Sequence, residues 1–143
     1  MSLPRRSLLA GSGVLLTPLS GCTDLVSRTP PEMDLMFVNY TGEDRRLKLE
    51  LLRHDEEEYR DALAFHDEVE IPAEDGDSAG VLRNADAVAR RRYLVRVLLW
   101  GGRGQRHESH FYPGESTTDP ELEKLFIRVY RDDDTDELYV RFS

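Results

Sequence analysis

From residue 33 onward, hydrophobic and polar side chains alternate with a period of two, the repeat that places successive residues on opposite faces of a strand. Leu35 and Phe37 alternate with Met36 and Val38, and Leu47, Leu49 and Leu51 with Lys48 and Glu50. Tyr93, Val95, Val97 and Leu99 point one way while Leu94, Arg96, Leu98 and Trp100 point the other, as in a central strand. Leu125, Ile127 and Val129, then Leu138, Val140 and Phe142, flank the turn-rich Asp132-Asp133-Asp134-Thr135-Asp136 and predict a hairpin. Shorter strands are predicted at Tyr59–His66, Val69–Ile71, Ser78–Arg83 and His107–Tyr112, and one helical turn at Asp86–Arg92. Seven or eight short strands and no long helix predict an all-β fold, a two-sheet antiparallel sandwich over residues 33–143. About 110 residues supply one modest core and not two.

The first 32 residues break this rhythm. Pro4–Cys22 reads PRRSLLAGSGVLLTPLSGC, and its apolar run, Leu8 to Leu19, is diluted by Gly11, Ser12, Gly13, Thr17 and Pro18. A spanning helix needs about 20 mostly apolar residues, so the run is too short and too weak to cross a membrane. A charged start, a short apolar middle and small residues before a processing point are the layout of an export signal, here residues 1–21. Arg5 and Arg6, followed by Leu8 and Leu9, look like a twin-arginine signal, which exports folded proteins. Leu19-Ser20-Gly21-Cys22 resembles the lipobox of exported lipoproteins, in which the cysteine becomes the lipidated first mature residue.

Cys22 is the only cysteine, so it can form no disulfide within the chain. The alternative of a buried structural thiol requires Cys22 inside the fold. It stands instead before a spacer, residues 22–32, whose Ser27, Thr29, Pro30 and Pro31 favour an extended chain. Two acyl or ether chains on one cysteine hold a protein to a membrane stably, because each buried methylene contributes about 0.8 kcal/mol.

Charge sharpens the setting. The chain has 19 Lys and Arg against 28 Asp and Glu; without Arg5 and Arg6 the balance is 17 against 28, a net charge of −11 from Cys22 onward. Only Lys48 and Lys124 are lysines. Excess carboxylate keeps a surface hydrated and self-repelling where salt screens ordinary charges. Together with the twin arginines and the lipobox, this composition resembles lipoproteins of halophilic archaea. The rhythm of Val38-Asn39-Tyr40-Thr41, Val69-Glu70-Ile71-Pro72 and Tyr93-Leu94-Val95-Arg96-Val97 resembles the small immunoglobulin-like domains of such lipoproteins. The resemblance implies the sandwich architecture and a lipid anchor on the extracytoplasmic face of the membrane. It implies no chemistry, since a fold alone does not carry a function. A net charge of this sign argues against nucleic acid and anionic headgroups as partners, and Arg90-Arg91-Arg92 is too short to reverse it.

Candidate chemistry is sparse. His107 and His110 form a possible metal pair, but a spacing of three on a strand points the imidazoles to opposite faces; His54 and His66 are further nitrogen donors. Asp132, Asp134 and Asp136 imitate the start of a calcium loop, yet Glu137 and Ser143 stand where glycine and glutamate are required. Asp55-Glu56-Glu57-Glu58 reads as a charged connection. There is no Gly-x-Ser-x-Gly elbow, and Gly101-Gly102-Arg103-Gly104 reads as a hairpin loop. Trp100 suits the rim of a core or a sugar platform. Asn39-Tyr40-Thr41 is an N-glycosylation triplet. The expectation is a non-enzymatic surface lipoprotein without a cofactor, supporting the envelope or binding a partner protein; the alternative is an accessory ligand- or metal-binding lipoprotein of a transporter.

Overall fold

A computed structural model of the chain describes residues 30–101, 105–114 and 124–143. The alternating stretches form β1 (Glu32–Asn39), β2 (Arg45–Arg53), β3 (Leu63–Ile71), β4 (Gly80–Ala89), β5 (Tyr93–Leu99), β6 (Arg106–Phe111), β7 (Lys124–Arg131) and β8 (Leu138–Phe142), with one helical turn, α1 (Tyr59–Ala62). They make two four-stranded sheets, ordered β4-β1-β7-β8 and β3-β2-β5-β6. The all-β sandwich is therefore observed, with eight strands.

The inward parity is the one the alternation predicts. Leu35, Phe37, Leu125, Ile127 and Val129 of the first sheet and Leu47, Leu49, Leu51, Val95 and Val97 of the second are fully buried in one cluster. Each such side chain contributes about 1.5–3 kcal/mol when removed from water, so this layer dominates the stability of a domain without disulfides. Tyr93, also in the core, donates its hydroxyl to the Ala89 carbonyl four residues upstream at 2.7 Å. The bond resembles the tyrosine corner known from β-sandwiches and ties the start of β5 to the end of β4.

Four expectations need correction. The sandwich is not wholly antiparallel, because β1 and β7 pair in parallel from Asp34↔Lys124 to Asn39↔Val129. Tyr59–Ala62 is not strand: Asp61 and Ala62 donate to the Glu58 carbonyl at 3.0 and 2.9 Å and close a single turn. Val69–Ile71 is not a separate strand but the end of β3. Asp86–Arg92 is not a helical turn, since β4 continues to Ala89 through a bulge opposite Met33 and Leu35. Asp86 takes a left-handed φ of 49° there, and its N–H donates to Asp34 Oδ1 at 3.0 Å. That backbone hydrogen bond, aided by Arg83, holds the Asp34 carboxyl below the usual range against the effect of burial.

Candidate functional site

Arg5, Arg6 and Cys22, which carry the export and lipid expectations, lie outside the described residues. Asn39 lies inside, and its environment changes its reading. It is fully buried at the end of β1, with Nδ2 donating to the carbonyls of Glu43 and Pro72, both at 2.8 Å, while Oδ1 accepts the Thr41 N–H and hydroxyl at 2.9 and 2.7 Å. Arg45 Nε donates to the same hydroxyl at 2.9 Å, and Arg45 pairs with Glu43. In the folded domain the nitrogen that would carry a sugar is enclosed and engaged. Asn39 and Thr41 form a polar knot tying the ends of β1 and β3 to the start of β2. Gly80, opposite Asn39, completes it, because a Cβ there would stand 1.9 Å from the Pro72 carbonyl oxygen.

His107 and His110 diverge as strand parity requires. His107 pairs with core-facing Val97, and its buried Nε2 has no hydrogen-bond partner among the described residues; burial lowers its pKa. His110 pairs with outward Leu94 and meets His54, with Nε2 of His54 2.8 Å from Nδ1 of His110. The pair the sequence suggested is thus replaced by one spanning 56 residues. Among the described residues, no group of three or more His, Cys, Asp or Glu side chains is placed to hold a metal.

The acidic runs resolve into local structure. Asp132 Oδ1 accepts the N–H groups of Asp134 and Thr135 and the Thr135 hydroxyl at 2.9–3.0 Å, which shapes the β7–β8 turn and lowers the Asp132 pKa. Asp55, Glu56, Glu57 and Glu58 are exposed between β2 and α1. Trp100 is half-buried just past β5, where its backbone N–H donates to the Arg46 carbonyl at 3.0 Å.

On the outer face of the second sheet, Glu50 accepts Lys48 at 3.0 Å and Arg96 at 3.3 Å, and Arg96 reaches Glu108 at 2.6 Å. Burial alone would raise the Glu50 pKa; hydrogen bonds from Lys48, Tyr59 and Arg96 outweigh it and hold the carboxyl low. Lys48, Glu50, Tyr59 and Arg96 line an open depression of about 380 Å³ with Leu98 and Arg106. Its charges are already matched across neighbouring strands, the arrangement by which an outward sheet face stabilises itself.

The outer face of the first sheet differs. The register sets Met36 beside Arg83 and Phe126, and Val38 beside Val81 and Arg128, with Arg141 next to Arg128. Tyr40 continues the parallel ladder, its N–H donating to the Val129 carbonyl at 2.9 Å. Its ring stacks on Tyr130 at 4.7 Å, and Tyr130 on Tyr139 at 5.3 Å. Arg141 lies 5.4 Å from the centres of Tyr130 and Tyr139, and Arg128 4.4 Å from Phe126. Over these rows no strand residue on this face is a carboxylate, and Val81 and Tyr40 are 51% and 44% exposed. Sequence reasoning missed this surface because β1 is apolar at both parities, so only its inward face drew attention. No family model and no curated protein matches the chain.

Proposed function

We propose that the protein is a non-enzymatic lipoprotein of a halophilic archaeon, tethered outside the membrane through Cys22, whose sandwich docks an acidic polypeptide of the cell envelope on its tyrosine–arginine face. The observation that carries the docking reading is that face itself: Tyr40, Tyr130, Tyr139, Phe126, Arg128 and Arg141 gather on one sheet of a chain with net charge −9. Tyrosine and arginine are the residue types that dominate interface energetics. The guanidiniums favour a carboxylate-bearing partner and disfavour a second copy through the same face, where like charges would meet. Such a contact tolerates high salt, since pairs enclosed between two surfaces are screened far less than exposed ones. The transporter-accessory alternative calls for a concave apolar pocket with converging polar groups. The depression on the outer face of the second sheet is open and lined mainly by charges already paired with one another, which favours the first reading.

Two outcomes are expected. Cys22→Ser should release the protein into the medium or leave it unprocessed; full membrane retention with the leader removed would overturn the anchor. Affinity capture from the organism's own membranes in molar KCl should recover an acidic protein with the wild-type chain. The folded double variant Arg128→Glu, Arg141→Glu should lose it by more than about tenfold, since a like charge placed against a partner carboxylate costs several kcal/mol. Equal recovery with both chains would remove this face from the proposal.

A further inference from the structure

We propose that His54 and His110 form a cis pair of ligands for a square-planar divalent cation, copper(II) foremost. This site is independent of the anchor and of the docking face. His54 immediately follows β2 and His110 lies on β6, with β5 between them. The ladder Leu52↔Leu94↔His110 turns the His110 ring to the outer face of the second sheet. Tyr112 lies 6.3 Å from the centre of each imidazole, and the Arg92 guanidinium covers the Tyr112 ring at 5.4 Å. These neighbours hold two exposed rings with centres 4.7 Å apart and planes inclined by 29°, and with His54 Nε2 and His110 Nδ1 2.8 Å apart.

That separation selects a geometry. Two nitrogens each about 2.0 Å from a metal stand about 2.8 Å apart in cis positions of a square plane, and about 3.3 Å apart in a tetrahedron. The observed 2.8 Å lies nearer the cis spacing of a tetragonal copper(II) or nickel(II) site than the wider spacing of tetrahedral zinc. The affinity order of divalent metals for nitrogen donors also places copper highest. The contact is otherwise an N–H···N hydrogen bond in which one ring donates. Moving that proton to the outward nitrogen of the same ring frees both facing lone pairs, a tautomeric change that releases no net proton. The remaining positions of the square plane fall to water. Glu56 and Glu57 share with His54 an open depression of about 270 Å³ and favour cation entry, against the opposing charge of Arg53. The net charge of −9 raises the local concentration of cations in the same sense.

The test is a titration of the full chain carrying Cys22→Ser, which removes the competing thiol, with copper(II) sulfate, followed by electron paramagnetic resonance. One copper per chain is expected, with coupling to two imidazole nitrogens. Loss of an outer-shell partner alone weakens a metal site about 10–100-fold, so His54→Ala and His110→Ala should each weaken binding by at least about tenfold. His66→Ala, on β3, should leave it unchanged. Unchanged copper affinity in both single variants, or tighter binding of zinc than of copper, would overturn the assignment.

Discussion

Asn39→Ala is expected to destabilise the domain by roughly 2–4 kcal/mol, a large fraction of the margin of a single small sandwich. The substitution strips four short hydrogen bonds from a fully buried amide. It leaves the Pro72 and Glu43 carbonyls and the Thr41 N–H facing a void too small to hydrate well, and each unsatisfied buried group costs about 1–3 kcal/mol. Thr41 would also lose the acceptor that orients its hydroxyl toward Arg45. Asn39→Asp should fare no better, because its second oxygen would face the two carbonyls 2.8 Å away where the amide nitrogen now donates. Urea unfolding monitored by circular dichroism measures both. A loss below about 1 kcal/mol for Asn39→Ala, the scale of one ordinary hydrogen bond, would show that the knot is dispensable.

The same residue shows where sequence reading stops. Asn-x-Thr is both an acceptor triplet and a pattern for a side chain that bonds its own backbone two residues on. The choice between them depends on Pro72, Ile71 and Gly80, which arrive from elsewhere in the chain. Strand existence was legible because burial imposes the period of two directly, as in Leu47, Leu49 and Leu51. Strand partnership was not, since Leu35 and Phe37 read the same whether their neighbour runs parallel or antiparallel. The β4 bulge was hidden because it depends on the distant carboxylate of Asp34 holding Asp86. Strand parity did separate His107 from His110, but the partner His110 meets is set by the order β2-β5-β6, which no local pattern encodes. The tyrosine–arginine face became visible only when the parallel β1–β7 register aligned Tyr40 with Tyr130 and Tyr139.

The unlipidated protein is expected to melt at a temperature that rises with KCl, by roughly 10 °C if screening recovers about 2 kcal/mol. The structure locates the repulsion. Asp67, Glu68 and Glu70 are exposed along the edge strand β3, Glu74, Asp75 and Asp77 are exposed just beyond it, and Asp55 to Glu58 are exposed before α1. Charged residues on an edge strand prevent pairing with other chains, and here they also oppose compaction. The Debye length falls from about 10 Å at 0.1 M salt to about 3 Å at 1 M, below the spacing of alternate residues on a strand. Screening therefore removes most of the mutual repulsion among Asp67, Glu68 and Glu70. It weakens the short, partly buried pairs such as Arg83–Asp34 at 2.6 Å far less. The two effects have opposite signs, and the excess of 28 acidic over 19 basic residues makes the first the larger. A melting temperature that stays flat or falls between about 0.1 M and about 2 M KCl would reverse that order, making the ion pairs dominant and removing salt adaptation as the reason for the acidic surface.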